Sequence, residues 1–212
     1  MQKIHKQIPP KFLSHYRNQP EVDWDCDVKG HERDEAREQL CREQGSLCCF
    51  CESRIRPNLK EMKIAHFIPQ TVDPSKMWTW SNLLGACKGG EGKSPKEQHC
   101  DTSQRNMELN RRLDPIQLAP GTIFFTGTGE VHSSDQEADA DIEKKLNLNV
   151  SKLKTNRKGA AEAMMVQIGR HDWKDTDIDR KLRELASADG TERVEYQSYL
   201  MWWLQRRLRR AE

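Results

Sequence analysis

The sequence predicts an α+β protein in which a small metal-stapled core precedes a mostly helical C-terminal half. Cysteines with ligand-like spacing, short alternating apolar stretches and glycine-containing turns are concentrated in residues 46–110. After residue 132, apolar residues recur at helical spacing. We therefore expect three parts: an N-terminal segment and helix over 1–45, the core over 46–110, and a hairpin followed by helices over 111–212.

Composition and charge exclude some classes of protein. Hydrophobic residues make up 35% of the 212 positions and charged residues 32%, a balance typical of a small core under a large wet surface. No apolar run approaches the roughly 18 residues of a membrane span, and the N-terminus lacks an apolar signal region, so we expect a cytoplasmic location and no membrane partner. The seven cysteines are an odd number, which favours metal ligation over a disulfide framework.

The N-terminal part is predicted to be irregular at first and then helical. Prolines interrupt the first stretch, where Trp24 is the expected anchor. Leu40 and Cys41 fall on one face of a helix over 31–44, and Gly45 is placed to end it. This helix leads the chain directly into the cysteine-rich core.

Four cysteines carry the strongest chemical signal in the sequence: Cys48, Cys51, Cys87 and Cys100. The first two are separated by two residues, the gap with which two thiolates reach one zinc ion from a tight turn. The last two are the natural second pair, although the twelve residues between them must form a loop. Four thiolates would close a tetrahedral structural zinc site. Cys49 and His99 are the competing ligands.

Three further residues suit phosphodiester chemistry. His66 lies in an alternating stretch that begins at Met62, continues beyond the histidine and is stopped by Pro69, which predicts a strand that presents the imidazole rigidly as a general base. Asn82 either fixes the tautomer of that histidine or pins its own loop. Asp101 follows the last cysteine, where its carboxylate suits a hard cation such as Mg²⁺.

Basic residues in two places are candidates for contacts with nucleic-acid phosphates. Arg105, in the turn after Asp101, can clamp a phosphate. Lys152, Lys154 and Arg157 form a cluster that predicts salt-sensitive binding. The alternative for this cluster is an ordinary solvated helix face.

Beyond the core, the sequence predicts a hairpin and then four helices. The first strand covers 122–126 and the turn covers 127–130. The helices are expected over 139–146, over 151–169, over 175–188 and from Thr191 onward. Trp202 and Trp203, with the arginines of 206–210, are expected either to anchor a partner or to pack in the core.

The order of these residues resembles that of the HNH endonuclease superfamily. Within it, the chain looks like the HNH effectors of Septu-type antiphage defence systems and certain retrons, the PtuB-like proteins. The likeness covers most of the chain, with 46–106 as its specific part. It is carried by LCCFCE at 47–52, IAHFIPQ at 64–70, WSNLL at 80–84 and HCD at 99–101.

The resemblance implies a ββα-metal (HNH) fold and a metal-dependent endonuclease in antiphage defence, with His66 as the base. It also implies a catalytic divalent ion, Mg²⁺ or Mn²⁺, beside the structural Zn²⁺, and a partner ATPase of the ABC/SMC-like (PtuA-like) kind. DNA is the favoured substrate and RNA is the alternative, because such chemistry reads phosphates and not bases. We expect the helical C-terminal half to dock on the ATPase.

Two positions depart from the family pattern. Ala65 stands where the family usually has an acidic residue or a second histidine that helps to bind the catalytic ion. Since alanine has no ligand atom, either another group such as Asp101 with water molecules holds the ion, or the activity is weakened, or this chain is an engineered inactive form. Gln104 stands where a lysine is common. The alternative function is a zinc-containing module that binds nucleic acid or protein without cutting.

Overall fold

A long helix, a two-stranded hairpin and one helical turn form the centre of the structure. The computed structural model describes residues 1–19, 21–168, 174–187 and 192–208. The helices in these residues are α1 (Lys11–Arg17), α2 (Trp24–Asp27), α3 (Gly30–Gln44), α4 (Asp101–Gln104), α5 (Gln136–Lys144), α6 (Ser151–Ile168), α7 (Asp175–Ala186) and α8 (Gln197–Leu208). The strands are β1 (Met62–His66), β2 (Leu83–Cys87), β3 (Ile123–Phe125) and β4 (Val131–Ser133). The α+β class is confirmed, with two small antiparallel sheets.

The β1–β2 hairpin sets the distance between the predicted metal centre and the predicted catalytic histidine. Its strands are antiparallel, with Met62 opposite Cys87 and His66 opposite Leu83. The cysteine and the histidine therefore lie at opposite ends of a five-residue ladder, about 13 Å apart along the strand direction. The predicted strand that carries His66 is confirmed, but β1 ends at His66 and does not continue to Pro69 as expected.

Helix α3 covers the hairpin and is fixed to it by a buried amide. Ala36 and Leu40 are fully buried, and Gly45 ends the helix in the left-handed conformation, as predicted. The Gln44 side chain accepts from the backbone N–H of Gly85 at 2.7 Å and donates to the Gly85 carbonyl at 2.8 Å. It also donates to the Leu47 carbonyl at 2.8 Å. One side chain thus occupies the outer edge of β2 in place of a third strand.

The N-terminal part is more ordered than the sequence predicts. Two short helices, α1 and α2, stand where an irregular segment was expected. Asp23 caps α2 by accepting from the backbone N–H groups of Asp25 and Cys26 at 2.8 and 3.0 Å. Helices this short have too little periodicity to be recognised, and packing on the core stabilises them instead. Trp24 is 4% exposed, so its predicted role as an anchor is confirmed.

The C-terminal half contains the predicted hairpin and helices, with shifted ends. β3 pairs with β4 around the predicted turn. Helix α5 begins three residues earlier than expected, because Asp135 caps it through the backbone N–H of Ala138. Helix α6 begins at Ser151 as predicted. The predicted helix ends at 169 and 188, the start at Thr191 and the arginines at 209 and 210 lie outside the described residues.

The buried side chains form one cluster to which all three predicted parts contribute. Leu40, Leu84, Leu113 and Ile142 each have an exposed fraction of 0%. The division of the chain at 45 and 110 stays a prediction. No helix within the described residues combines the length and apolarity needed to cross a bilayer.

Replacing Gln44 by alanine tests the amide that holds α3 to β2. The change leaves the backbone N–H of Gly85 without a partner and leaves its carbonyl with only the bond from the Cys49 N–H, and a buried polar group without a partner costs about 1–3 kcal/mol. We expect the free energy of unfolding to fall by about 2–4 kcal/mol in urea titrations. Glu35→Ala, at an exposed position of the same helix, is the control and should change it by less than about 0.5 kcal/mol. Equal effects of the two substitutions would contradict this role.

Candidate metal centre and histidine cleft

Four buried cysteines converge on one point. The sulfur atoms of Cys48, Cys51, Cys87 and Cys100 all lie within 4.8 Å of one another. Cys48 and Cys100 are 3.8 Å apart, and Cys51 and Cys87 are 3.7 Å apart. Zinc–sulfur bonds of about 2.3 Å in a tetrahedron place sulfurs about 3.8 Å from each other, whereas a disulfide requires about 2.05 Å. The predicted cysteine set therefore fits a structural metal ion such as zinc.

The first cysteine pair is held by the turn that follows α3. The backbone N–H of Cys48 donates to the Ser53 carbonyl at 2.9 Å, and that of Glu52 donates back to the Cys48 carbonyl at 3.0 Å. Glu52 has a φ of +63°, which closes this turn. Cys48 and Cys51 consequently present both thiols to the same side, as their spacing predicts.

The second pair is brought together by a tight loop over 88–99. Cys87 ends β2, and Cys100 precedes α4 with its N–H bonded to the Leu146 carbonyl at 2.8 Å. The N–H of His99 donates to the Gly89 carbonyl at 2.9 Å. Gly89 has a φ of +53°, and a Cβ there would collide with the His99 carbonyl, so only glycine fits.

The two competing ligands take other roles. Cys49 stands outside the converging set, and burial raises the pKa of its thiol well above the ordinary range. His99 is buried, and its Nδ1 lies 3.2 Å from the sulfur of Cys100 and 4.0 Å from that of Cys87. It is therefore placed to donate a hydrogen bond to thiolates. Hydrogen bonding from Cys100 lowers the pKa of Cys51 to about 6, whereas burial raises the pKa of Cys100 well above the ordinary range.

The C-terminal half touches the metal centre through hydroxyl groups. Ser53 Oγ lies 3.1 Å from the sulfur of Cys51 and 3.1 Å from the Tyr196 hydroxyl. Asn156, on α6, donates to the same hydroxyl at 3.0 Å. These hydrogen bonds connect the cysteine cluster to two segments that are more than a hundred residues away in sequence.

A cleft of about 420 Å³ extends along β1 from Lys63 to His66. It contains three of the predicted site residues, His66, Asp101 and Arg105. Residues that sequence reasoning did not assign to the site also line it: Trp24, Asp25, Lys63 and Gln70. The cleft thus combines an imidazole, carboxylates and cations.

The surroundings of His66 leave one ring nitrogen without a proton, so that nitrogen can act as a base. Nε2 lies 3.2 Å from the Met77 carbonyl, which can only accept, so Nε2 carries the proton and Nδ1 does not. The Gln70 amide lies 3.3 Å from Nδ1, and the Trp24 ring meets the imidazole edge-on at 5.3 Å. Burial lowers the pKa of His66 below its ordinary value. The imidazole is therefore neutral at pH 7.

Asn82 pins a loop and does not contact His66. Its amide donates to the carbonyls of Ile68 at 3.0 Å and Lys76 at 3.2 Å, and accepts from the N–H of Ile68 at 2.8 Å. Of the two roles predicted for Asn82, fixing the tautomer of the histidine is wrong, because Met77 supplies that acceptor. The predicted role of holding the loop fits these contacts. The loop held in this way positions the Met77 carbonyl.

Asp101 opens α4 at the wall of the cleft. Burial raises the pKa of its carboxyl to about 6, opposed by the Lys63 ammonium, which lies 3.8 Å away. Lys63 also lies 3.0 Å from Glu91. Arg105 is exposed and makes one long bond, 3.4 Å to the Gln98 side chain, so its guanidinium remains available to a ligand.

The two departures from the family pattern both lie in the interior. Ala65 is 1% exposed and does not line the cleft, whereas its strand neighbours Ile64 and His66 do. Gln104 is fully buried and donates to the carbonyls of Phe67 at 3.1 Å and Met107 at 3.3 Å. Gln104 therefore ties α4 to the residue that follows His66.

The predicted phosphate-binding cluster on α6 is only partly available. Arg157 is 2% exposed and donates to the carbonyls of Gly129 and Leu148 at 2.9 and 3.0 Å. Its predicted contact with phosphate is wrong, because the guanidinium is used inside the fold. Lys154 lies 3.2 Å from Glu130, which offsets its charge, while Lys152 is exposed. Phosphate contacts at Lys152 and Lys154 stay predictions.

Sequence reasoning missed four groups around His66 and the cleft for different reasons. Lys63 lies on the predicted strand beside His66, so its position could have been read from the strand. Gln70 lies four residues after His66, close enough for a local contact to be suspected. The Met77 carbonyl and Trp24 carry no such signal, since a backbone group has no side-chain identity and Trp24 is 42 positions from His66.

Comparison with known proteins points in the same direction as the sequence motifs. A segment of 54 residues is 39% identical to the Septu protein PtuB of Bacillus thuringiensis. That segment covers 26% of this chain and 21% of the relative. The match supports a Septu-like relationship over about a quarter of this chain, less than the likeness expected from the motifs. No protein-family model matches the chain.

The cysteine geometry predicts a bound metal ion. We expect about one zinc ion per chain by elemental analysis, and tetrahedral thiolate absorption bands after cobalt substitution. Cys87→Ser should lose most of the zinc and lower the thermal midpoint, because metal binding contributes directly to folding. The matched controls, Cys49→Ser and exposed Cys26→Ser, should keep the bound zinc. Zinc loss in Cys49→Ser with full retention in Cys87→Ser would reverse the ligand assignment.

Proposed function

We propose that this chain is a metal-dependent endonuclease of the HNH (ββα-metal) type that acts in a Septu-like antiphage defence system. One observation carries the proposal: the unprotonated Nδ1 of a neutral His66 in a cleft that also contains Asp101, Lys63 and Arg105. The order of hairpin and helical turn, β1, β2 and α4, supports the ββα reading. The partial match to a Septu protein supports the biological role.

In this proposal, His66 is the general base of phosphodiester hydrolysis. Its Nδ1 takes a proton from the attacking water, and the Met77 carbonyl holds Nε2–H so that the positive charge that develops on the ring is stabilised. Asn82 and Gln104 are positioning residues, because each fixes backbone next to the histidine or its acceptor. Proton transfer of this kind contributes about 100- to 10,000-fold to a rate.

The donor atoms of the cleft suit a hard divalent cation such as Mg²⁺ or Mn²⁺. Asp101 and Asp25 both line it with carboxylate oxygens, the ligands such ions prefer. Among the described residues, only the four cysteines converge as a group of three or more metal-binding side chains, so water molecules or substrate would complete the shell. Bound there, the ion would stabilise the leaving oxygen. Since Ala65 does not line the cleft, the alternative in which Asp101 holds the ion gains support.

The substrate we propose is nucleic acid, with DNA favoured and RNA as the alternative. Lys63 and Arg105 are the cations of the cleft that can contact phosphates, and neither reads bases. An ABC/SMC-like ATPase of the same defence system is the proposed protein partner. The C-terminal part over 111–212 is proposed to dock on it, since the core over 46–110 carries the chemistry.

A zinc-containing module that binds without cutting is the second candidate. Ala65 favours it, because position 65 offers no metal ligand. The two candidates differ in one respect that can be measured: only the nuclease requires the imidazole of His66 for a chemical step.

Replacing His66 by alanine tests the nuclease proposal. Supercoiled plasmid and total RNA are incubated with Mg²⁺ or Mn²⁺ and the chain, alone and with the ATPase and ATP. We expect His66→Ala to lower the cleavage rate by about 100- to 10,000-fold without changing the zinc content. His5→Ala, at an exposed histidine, is the matched control and should cut normally.

An Ala65→Glu background shows whether position 65 limits the rate. A faster rate in this variant, abolished by His66→Ala, means that Ala65 weakens the enzyme. If no form cuts either substrate and His66→Ala still binds nucleic acid fully, the chain is a binding module.

The pH dependence of cleavage provides a separate prediction. Burial lowers the pKa of His66, so the base remains deprotonated below the ordinary histidine value of about 6.5. The rate should therefore stay level at pH 7 and fall only in more acidic buffer. The unfolded chain binds this proton more readily than the folded one, so the stability from His66 also falls as the pH drops below about 6.5. A cleavage rate that already falls with decreasing pH above pH 7 in single-turnover assays would contradict the assignment of His66 as the base.

A further inference from the structure

The two outer edges of the β3–β4 hairpin differ in whether other groups bond to their backbone. Thr126 donates to the Glu130 carbonyl at 3.0 Å, and Ser134 donates to the Thr122 carbonyl at 3.4 Å. In an antiparallel ladder, bonded and non-bonded pairs alternate, so Phe124 is the bonded residue between them. The backbone groups of Ile123 and Phe125 on β3 therefore point outward, as do those of their partners on β4.

Side chains satisfy the outer edge of β4. The Asn149 amide accepts from the N–H of Val131 at 2.8 Å and donates to its carbonyl at 3.0 Å. Asp139 accepts from the N–H of Ser133 at 2.9 Å. This edge is thus closed to any further strand.

The outer edge of β3 has no such cover. In the described part of the chain, no group bonds to the outward N–H and carbonyl groups of Ile123 and Phe125. A groove of about 840 Å³ runs along this edge, and helix α8 forms its far wall with Met201 and Trp202. Phe124 at its rim is 42% exposed. The groove therefore offers unpaired backbone groups beside apolar side chains.

The charges of the groove indicate what could fill it. Among the described residues, its lining includes Lys3 and Arg206 and no carboxylate. A second copy of this chain would bring like charges together, and a nucleic-acid strand has no ladder of amides to match the edge. We propose that β3 receives an extended, acidic and apolar peptide segment of a partner protein as an added strand. Such strand addition takes affinity from main-chain hydrogen bonds and specificity from alternate side chains. The proposal is independent of the cleavage chemistry.

Peptide binding tests this surface directly. The probe is a fluorescein-labelled octapeptide of alternating valine and aspartate, followed by fluorescence anisotropy against the whole chain. Controls are the valine–lysine peptide and the acidic peptide with every backbone amide methylated. We expect saturable binding of the acidic peptide with a Kd below about 1 mM, and at least about tenfold weaker binding of both controls.

Protein variants locate the site. Ile123→Pro removes an outward N–H that β4 does not use, and Arg206→Glu reverses a charge of the groove. Each substitution should weaken the binding of the acidic peptide by at least about tenfold. Arg207→Glu carries the same charge change on the neighbouring residue of α8, outside the groove lining, and should bind within about twofold of the parent chain.

Hydrogen exchange in the unmodified chain keeps the test valid if a variant fails to fold. Peptide should slow exchange at the amides of Ile123 and Phe125 and leave the already bonded amide of Phe124 unchanged. Absence of saturable binding overturns the proposal. So does binding that is equally strong for the methylated peptide and leaves exchange at Ile123 and Phe125 unchanged. A dimer that Ile123→Pro dissociates would make a second copy the occupant and would overturn it as well.

Discussion

The convergence of four sulfur atoms is the constraint on which the core depends. Because the sulfurs lie within 4.8 Å of one another, the turn after α3, the end of β2 and the start of α4 must meet at one point. This part of the chain is rich in loops and contains only a two-stranded sheet, which is marginal by itself in water. A metal ion bound by these sulfurs would supply stabilisation that the small amount of regular structure does not provide.

The position of the histidine follows from that anchor. Cys87 and His66 lie at opposite ends of one ladder, so fixing the cysteine also fixes the direction in which β1 presents the imidazole. The loop over 67–82 then closes on the ring, with Asn82 holding its backbone and Met77 accepting from Nε2. The burial that results is what lowers the pKa of His66, so the protonation state of the imidazole depends on loop packing.

The C-terminal half is hydrogen-bonded to the cysteine cluster and does not form a separate unit. Tyr196 and Asn156 reach the cysteine cluster through Ser53, and the N–H of Cys100 bonds to Leu146. Arg157, which looked like a surface cation, instead holds two carbonyls together inside the fold.

The sequence by itself determined the local features, because they depend on residues that are close in the chain. The cysteine knuckle, the strand that carries His66, the Gly45 helix end and the second hairpin all follow from spacing and turn chemistry. Only the tertiary structure decided which side chains from distant segments meet. The Trp24 contact with His66, the Met77 acceptor, the burial of Arg157 and the open edge of β3 depend on packing between segments, and residue type alone does not indicate whether a charge faces water or the interior.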